Sequence, residues 1–257
     1  MSNSHADEQV ALITGAASGF GRALTEALTG RGVRVVACDV DADAGAEVAA
    51  ATGATFVRCD VSDPEQNDAA VATALEEYGG LDMAFLNAGV ISGTNVGDEF
   101  DLGAYRRAMG VNFDGVVFGI NSAIPAMRER GGGSIVATAS LAGLTAVPMD
   151  PIYAANKHAV VGLARSLGPT LAVDGIRINA VCPGYSETAI IGTIRDLIVD
   201  QGIPIIPPEQ VVETVIGLFD GDMTGECWFV QAGRESQPFG FRGIPGPRVA
   251  GETPGPT

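Results

Sequence analysis

The sequence lacks several features that would point to whole classes of protein. No apolar run reaches the roughly 18 to 20 residues that a membrane span needs. Basic residues are scarce, with 15 Lys and Arg against 31 Asp and Glu, and the formal net charge of −16 would repel a phosphate backbone. A membrane-spanning protein and a nucleic-acid-binding protein are therefore both disfavoured.

Cysteine and histidine are also scarce. The four cysteines form no CxxC pair, and the two histidines are far apart in the sequence. Neither a metal site nor a disulfide framework is expected, and buried reduced thiols are typical of a cytoplasmic protein. The polar N-terminus has no signal-peptide pattern, so residues 1–8 are interpreted as a flexible tail.

Apolar residues are plentiful, at 46% of the 257 residues, which is enough for a large core. Helix-like stretches alternate with seven strand-like runs, at 10–15, 34–39, 55–60, 81–89, 134–140, 177–184 and 226–233. Continuous apolar strands separated by helices are typical of a parallel sheet covered on both faces. The sequence predicts an α/β, Rossmann-type doubly wound sheet of about seven strands in one domain, 9–237, followed by a Gly/Pro-rich tail, 238–257.

Two of the predicted helices carry polar residues of interest. One is predicted over 105–130, with Asn112 in its middle, and the other from Tyr153 to about residue 172. Asparagine is a mediocre helix former, so Asn112 could have a role beyond the helix, such as holding a water for proton relay. A purely structural role for this residue is equally plausible.

A glycine-rich segment, TGAASGFG, joins the first predicted strand to the first helix, with Gly15, Gly19 and Gly21 in it. Glycine permits a tight turn and a close approach of the backbone to a pyrophosphate, and the helix N-terminus then faces that phosphate. This pattern predicts a dinucleotide site, although a merely structural glycine turn remains an alternative.

The second predicted strand ends at Asp39, 18 residues after Gly21. A carboxylate there can bind the adenosine ribose hydroxyls and would repel a 2′-phosphate, so NAD is favoured over NADP. Arg22 and Arg34 are the nearby basic residues, and both are expected in solvent. Asp60, at the end of the third strand, could meet the adenine amino group or could simply cap a helix.

Tyr153 and Lys157 are four residues apart and share one face of a predicted helix. A phenol has a pKa near 10, and a nearby ammonium together with the nicotinamide ring would favour the phenolate. Tyr153 could then exchange a proton with the substrate oxygen. Ser140, at the end of the fifth strand, could hold that oxygen, although a strand-end serine is more often a cap.

Taken together, these segments resemble the short-chain dehydrogenase/reductase family, in its single-domain branch. The matching elements occur in the family's order over roughly residues 9 to 233: TGAASGFG, Asp39, CDV (59–61), NAG (87–89), Asn112, Ser140, YAANK (153–157) and PGYSET (183–188). Within the family, LAGL (141–144), the helix from Tyr153 and AVCPGYSETAI look most like the 15-hydroxyprostaglandin dehydrogenase-like members. Phe20 and Asn156 depart from the family's usual Ile and Ser or Thr.

The resemblance implies roles for individual residues. The catalytic tetrad would be Asn112, Ser140, Tyr153 and Lys157. The cofactor set would be Gly15, Ser18, Gly19, Phe20, Gly21, Asp39, Asp60, Val61, Asn87, Ala88, Gly89, Tyr153, Lys157, Pro183, Gly184, Ser186 and Thr188, with Ser186 and Thr188 at the nicotinamide carboxamide. The cofactor would be NAD, the reaction an alcohol–ketone interconversion and the assembly a homotetramer, one interface of which uses residues 226–233.

The segment after Thr188 is expected to cover the substrate pocket. Its apolar residues have helical spacing, which suits a lipophilic alcohol such as a terpenoid, steroid, fatty or aryl secondary alcohol: Ile190, Ile191, Ile194, Leu197 and Ile198. Met149, Pro148 and Tyr185 are expected to contribute from the other side. The stripe could instead pack on the protein's own core or on a neighbour, and Arg195 is a candidate for a substrate carboxylate.

Two other functions fit the sequence less well. An NADPH-dependent ketone reductase of the same fold is disfavoured by Asp39, and a non-catalytic dinucleotide sensor is disfavoured by the presence of all four catalytic groups. In the tail, Phe239 and Phe241 alternate around a glycine and could lie on one side of an extended segment. Residues 238 to about 248 are predicted to pack across a subunit interface, with 250–257 mobile; a wholly disordered tail is the alternative.

Overall fold

A computed structural model of the chain describes residues 8–192 and 195–243. Its centre is one eight-stranded sheet with the strand order β3-β2-β1-β4-β5-β6-β7-β8. The first seven strands run parallel and β8 is antiparallel. The strands are β1 Val10–Thr14, β2 Arg34–Asp39, β3 Thr55–Arg58, β4 Met83–Leu86, β5 Gly133–Thr138, β6 Ile176–Pro183, β7 Cys227–Val230 and β8 Gln237–Pro238.

Helices cover both faces of this sheet. They are α1 Gly19–Gly30, α2 Ala42–Thr52, α3 Pro64–Tyr78, α4 Leu102–Met109, α5 Gly115–Arg130, α6 Pro151–Leu171, α7 Arg195–Asp200 and α8 Pro208–Asp220. Two buried apolar clusters result, one on each side of the strands. The predicted doubly wound α/β fold is confirmed, and every predicted parallel strand is present, although most are one to four residues shorter than expected.

The sheet order reverses between β1 and β4, because β2 and β3 lie on one side of β1 and all later strands lie on the other. In open parallel sheets, ligands bind outside the carboxyl ends of the strands at such a reversal. The topology therefore locates the expected site above the ends of β1, β4 and β5.

The helix predicted over 105–130 is in fact interrupted. After α4, the residues Gly110–Asp114 form one turn of π-helix before α5 begins, and Asn112 lies in that turn. Single π turns within helices often occur at functional sites. Periodicity alone did not predict the interruption, because one extra residue per turn hardly changes the apolar pattern.

The eighth strand, β8, lies where the sequence predicted only an extended tail. Trp228 and Phe229 of β7 pair with β8, and Phe239 N donates to Cys227 O at 2.7 Å. The Phe239 and Phe241 rings meet edge to face, with centroids 4.9 Å apart. The described end of the tail, to residue 243, thus packs along its own chain, whereas residue 244 onwards lies outside the described residues.

No helix within residues 8–192 and 195–243 is both long and apolar enough to cross a membrane. Each of the four cysteines is buried and has a free thiol. The predicted N-terminal tail lies outside the described residues except for its last position.

Candidate active site

A single cleft opens at the carboxyl edge of the sheet, at the reversal of strand order. Its walls contain all of the sequence-predicted site residues except Gly21 and Asn112. The cleft extends from Asp39 and Asp60 at one end to Ser140, Tyr153 and Lys157 at the other. Residues at the ends of six strands, β1 to β6, and on α6 thus meet in one elongated space, as a dinucleotide and a small substrate would require.

The glycine-rich turn before α1 depends on two glycines with positive φ, Gly15 at 67° and Gly19 at 51°. A Cβ on Gly15 would also lie 3.0 Å from the Ala88 backbone, and one on Gly19 would lie 3.2 Å from the Thr188 side chain. Gly21 has another role: a Cβ there would lie 2.1 Å from Gly15 O. It therefore allows the turn to fold against α1, and it does not line the cleft.

Asp39 connects the end of β2 to the glycine-rich turn. Its Oδ2 accepts a hydrogen bond from Ala17 N at 2.9 Å, and its Oδ1 accepts one from Asp41 N at 3.0 Å. A carboxylate has about four lone-pair sites, so both oxygens keep capacity to accept ribose hydroxyls. The two amide bonds hold the group in the cleft before any ligand binds.

Asp60 is likewise held by local hydrogen bonds, and Asn87 by bonds to two other strands. Asp60 Oδ1 accepts from Ser62 N at 3.0 Å and from Ser62 Oγ at 2.7 Å, which leaves Oδ2 for another partner. The N-cap of α3 is Asp63, so Asp60 does not cap that helix. Asn87 Nδ2 donates to Thr14 O at 3.1 Å, and Asn87 Oδ1 accepts from Thr138 Oγ1 at 3.1 Å. Asn87 thus joins β1, β4 and β5 beneath the cleft.

Asn112 is completely buried, and its amide holds the backbone of Val90. Its Oδ1 accepts from Val90 N and its Nδ2 donates to Val90 O, each at 2.8 Å. The side chain is therefore engaged with the segment that follows β4, which favours a structural role for the amide. Gly89 must be small here, because a Cβ would lie 3.3 Å from Asn112 Oδ1 and 3.6 Å from Lys157 Nζ.

Tyr153 and Lys157 lie on one face of α6, as their spacing predicted. Lys157 Nζ is 5.7 Å from the centre of the Tyr153 ring, and it donates to Thr138 O at 2.7 Å. Ser140, just beyond β5, donates through its Oγ to Pro183 O at 3.4 Å and caps a short 3₁₀ turn by accepting from Ala142 N at 3.1 Å, and its hydroxyl acts to lower the pKa of the Tyr153 phenol. Thus the three side chains that could handle a substrate proton lie together.

Burial dominates the protonation of this group. It raises the pKa of Tyr153 above its usual value, against the lowering effect of the Ser140 hydrogen bond. It lowers the pKa of Lys157 to about 8. The sequence interpretation expected Lys157 to favour the phenolate, but desolvation outweighs that influence in the protein alone. Lys157 is also the only lysine in the sequence.

The segment after β6 forms the wall opposite the glycine-rich turn. Gly184 continues from the strand end, and Ser186 is buried, with its Oγ donating to Gly184 O at 3.2 Å. Thr188 Oγ1 donates to Ser186 O at 3.3 Å, and its side chain faces Gly19. Pro183 through Thr188 thus cross the cleft toward α1, where the resemblance expected the nicotinamide contacts.

Further residues line the cleft that sequence reasoning did not assign as site residues. They are Val40, Cys59, Val90, Val111, Thr138 and Ala139. Most follow directly from strand geometry, because each adjoins a strand end or a predicted site residue. Val111 adjoins Asn112 and lies with it in the π turn, which the sequence analysis did not predict.

The expected substrate cover is only partly described. Ile190 and Ile191 line the cleft, Ile190 is 37% exposed and Leu197 is 50% exposed, whereas Ile198 is buried. Ile194 lies outside the described residues. Arg195, the candidate for a substrate carboxylate, is paired with Glu187 at 2.7 Å, so its charge already has a partner.

These features fit a nicotinamide dinucleotide. The two positive-φ glycines and Gly89 leave space that a Cβ would fill, and the N-terminus of α1 lies beside that space. Carboxylates at one end offer hydrogen-bond acceptors for ribose hydroxyls, and Tyr153 with Lys157 offers donors at the other. Within the described part of the chain, no group of three or more metal-ligating side chains comes together.

The sequence matches the family model of the short chain dehydrogenases over residues 9–197. It is 36% identical over 242 residues to cyclohexanol dehydrogenase of Acinetobacter sp. strain SE19, covering 90% of this chain and 96% of that protein. It is 35% identical to the human 15-hydroxyprostaglandin dehydrogenase [NAD(+)], covering 74% of this chain and 73% of that protein.

A solved structure extends this similarity to the fold. The 3-ketoacyl-(acyl-carrier-protein) reductase from Brucella melitensis, complexed with NADH, superposes with a TM-score of 0.82 at 30% identity, covering 88% of this chain and 98% of that one. Sequence motifs, strand order and relatives all agree, and the resemblance inferred from the sequence is confirmed. This chain belongs to the short-chain dehydrogenase/reductase family, whose members are oxidoreductases that bind a nicotinamide dinucleotide.

Proposed function

We propose that the protein is an NAD-dependent dehydrogenase that interconverts a lipophilic secondary alcohol and its ketone. The observation that carries the proposal is that one cleft contains both the Asp39 carboxylate and the Tyr153, Lys157 and Ser140 cluster. A carboxylate held in place by Ala17 N and Asp41 N would repel the 2′-phosphate of NADP and bind the two ribose hydroxyls of NAD.

The proton chemistry belongs to Tyr153. In alcohol oxidation the Tyr153 phenolate takes the hydroxyl proton, and in ketone reduction the phenol returns it. Bound nicotinamide supplies the hydride acceptor or donor and, in its oxidised form, a positive charge beside the phenol. The Ser140 hydroxyl, which lines the cleft together with Tyr153 and acts to lower the pKa of the phenol, orients the substrate oxygen toward that phenol.

Lys157 and Asn112 assist the proton transfer by Tyr153. The Lys157 ammonium is held by Thr138 O, and at pH 7 a pKa of about 8 keeps it mostly protonated. It can therefore donate to the nicotinamide ribose and assist the phenolate. Asn112, in the π turn, keeps Val90 and Gly89 in place beside Lys157 and completes the proposed tetrad. The remaining cofactor contacts are proposed as in the sequence analysis, with Gly21 acting through the turn.

The part of the substrate away from the reacting carbon is proposed to be apolar. Ile190, Ile191 and Val90 line that part of the cleft, and the Arg195 guanidinium is already paired. The named substrates of the relatives include cyclohexanol and a hydroxyprostaglandin. We therefore favour a cyclic or long-chain secondary alcohol without a carboxylate near the reacting carbon.

We also propose an assembly and a location. A homotetramer with one interface at 226–233 follows from the family resemblance, and light scattering at micromolar concentration tests it, since a monomer would refute it. Four reduced, buried cysteines are in keeping with work in the cytoplasm.

An NAD-reduction screen tests the function directly. The purified chain is offered cyclic, steroid, aryl and long-chain secondary alcohols with NAD+ or NADP+, and the appearance of reduced cofactor is followed by absorbance. We expect turnover with NAD+ and at least one apolar alcohol. Better turnover with NADP+ would contradict the role of Asp39, and cofactor binding without any turnover would indicate a dinucleotide sensor.

A further inference from the structure

One carboxylate joins the N-terminus of α6 to the segment that follows β4. Asp150 is the N-cap of α6, and its Oδ1 accepts a hydrogen bond from Tyr153 N at 2.9 Å. The same Oδ1 accepts from Ser92 Oγ at 2.6 Å, while Oδ2 accepts from Ser92 N at 3.2 Å. Three donors thus meet on one charged group, and such bonds are roughly twice as strong as neutral ones.

The Ser92 side of this network continues along the segment. Ser92 is fully buried, and its Oγ accepts from Thr94 N at 3.3 Å. Two residues earlier, Val90 is held at both N and O by Asn112. The segment from Val90 to Thr94 is therefore fixed between two side chains, Asn112 in the π turn and Asp150 at the start of α6.

A helix cap alone would not need these contacts. Asp63, the N-cap of α3, also precedes a proline and accepts from Glu65 N at 2.9 Å. Its other side-chain bond, from Gln66 Nε2 at 2.8 Å, stays within α3. Asp150 differs because its additional bonds reach Ser92, in the segment after β4. That segment includes Val90, which lines the same cleft as Tyr153.

We propose that Asp150 is a positioning residue for the reaction, because its hydrogen bonds to Ser92 and to Tyr153 N fix the phenol relative to the substrate wall at Val90. The proposal rests on the proposed function, since it concerns the same phenol. Positioning matters at this scale: a misplacement of about 1 Å can cost a hundredfold in rate. Asp150 itself touches neither substrate nor cofactor.

The charge of Asp150 has a second effect on the same phenol. After burial, it contributes to the raised pKa of Tyr153, in opposition to the Ser140 hydrogen bond. Other charged or titratable groups on the described elements packed around the phenol are Lys157, 5.7 Å from the ring, Cys182 on β6, which faces Lys157, and Arg107 on α4, 3.5 Å from Ile91 O. Removing the Asp150 charge should therefore lower the pKa of Tyr153.

Steady-state kinetics with NAD+ and an alcohol found in the screen test the geometry. We expect Asp150→Ala to lower kcat about tenfold and to raise KM for the alcohol, with KM for NAD+ nearly unchanged. Asp150→Asn keeps an oxygen for Tyr153 N and should recover most of kcat, with its rising pH limb shifted to lower pH. Ser92→Ala should raise KM for the alcohol with a smaller loss of kcat.

The matched controls are Asp63→Ala and Asp63→Asn, which alter an Asp-Pro cap without a bond to a second element. We expect Asp63→Ala to lower Tm about as much as Asp150→Ala does, because loss of a cap typically costs about 1 kcal/mol, while kcat and the pH profile stay unchanged. If Asp150→Ala lowers Tm alone and leaves kcat, KM and the pH limb as in the wild type, Asp150 is only a cap and the proposal is overturned.

A readout without turnover separates this proposal from the proposed function. The ultraviolet absorbance of tyrosinate is titrated with NAD+ present, and the Tyr153→Phe signal is subtracted from that of the wild type to isolate Tyr153. A lower pKa in Asp150→Asn, but not in Asp63→Asn, supports the proposal even if the screen finds no alcohol. A pKa that is unchanged in both Asp150→Asn and Asp150→Ala would show that Asp150 does not act on the phenol, and it overturns the proposal even if the enzyme is active.

Discussion

The two ends of the cleft are built differently. At the adenosine end, Asp39, Asp60 and Asn87 fix the backbone through hydrogen bonds, and Gly15 is required by its φ of 67°. At the substrate end, the cleft is bounded by apolar residues such as Ile190, which is 37% exposed. The first end depends on residue identity, whereas the second, beyond Ser140, Tyr153 and Lys157, depends on the shape of an apolar wall, which many apolar residues could supply.

Tyr153→Phe removes only the phenol oxygen, which would exchange a proton with the substrate. This substitution has the largest expected effect. We expect activity to fall by at least about a hundredfold, the usual range for lost acid–base catalysis, because the variant lacks the phenol oxygen that would exchange a proton with the substrate. NAD+ binding, measured by calorimetry, should be largely retained, since Asp39 and the glycine-rich turn are untouched. A variant with near-normal turnover would exclude Tyr153 as the base.

Lys157→Met tests how much the buried ammonium of Lys157 lowers the free energy of unfolding. Burial lowers the pKa of Lys157 from 10.5 to about 8, so at pH 7 the folded chain holds this proton at a cost on the order of 3 kcal/mol. After loss of the bond to Thr138 O, we expect a net gain of about 2 kcal/mol in unfolding free energy, together with loss of activity.

The pH dependence of that gain has a definite sign. Between pH 8 and 10.5 the unfolded wild type binds more protons than the folded protein, so its stability rises with pH and the advantage of Lys157→Met disappears. Because the sequence has one lysine, isotope-labelled lysine gives one side-chain signal whose titration reports the pKa directly. A midpoint near 10.5 in the folded protein would contradict the prediction.

Asp39→Ala tests the adenosine end. Two hydrogen bonds from ribose to a carboxylate are each worth about 1.5 to 3 kcal/mol, so NAD+ binding should weaken at least tenfold while the penalty against NADP+ falls. The substitution also removes the acceptor for Ala17 N and Asp41 N. Asp39→Asn keeps an acceptor without the charge, and equal discrimination between cofactors in this variant and the wild type would show that the charge is irrelevant.

The contrast between the two ends of the cleft also explains which features the sequence could predict. The parallel sheet and the grouping of Gly19, Asp39, Ser140 and Tyr153 follow from motifs whose residue types the backbone demands. The π turn at Asn112 was missed, because the bonds that Asn112 makes to Val90 join residues 22 apart in sequence. The raised pKa of Tyr153 was missed as well, since burial is a property of the packed structure.

Ile190→Ser tests the substrate end. Loss of an apolar contact in a binding pocket is worth about 1 to 3 kcal/mol, so KM for an apolar alcohol should rise about tenfold or more, whereas KM for NAD+ stays constant. Val173→Ser is the control, because Val173 is 85% exposed and does not line the cleft. Equal KM values in both variants would mean that Ile190 does not contact the substrate.

The C-terminal tail has the smallest expected effect, and it lies outside both ends of the cleft. Phe241 stacks on Arg165 of α6, with the guanidinium carbon 3.6 Å from the ring centre, and packs against the core beside Phe239. A cation–π contact is worth about 0.5 to 1 kcal/mol at such a site, so Phe241→Ala should lower Tm by about 2 to 4 °C and leave kcat unchanged.

Deleting 238–257 sharpens this prediction. The deletion also removes β8 pairing and the bond from Phe239 N to Cys227 O, so Tm should fall further than in Phe241→Ala. The sequence suggested that the tail also closes a neighbour's pocket, and in that case the deletion should raise KM for the alcohol. Phe241→Ala should leave KM unchanged, because the contacts of Phe241 lie within one chain. Unchanged Tm and unchanged KM after deletion would show that the tail contributes neither to folding nor to the site.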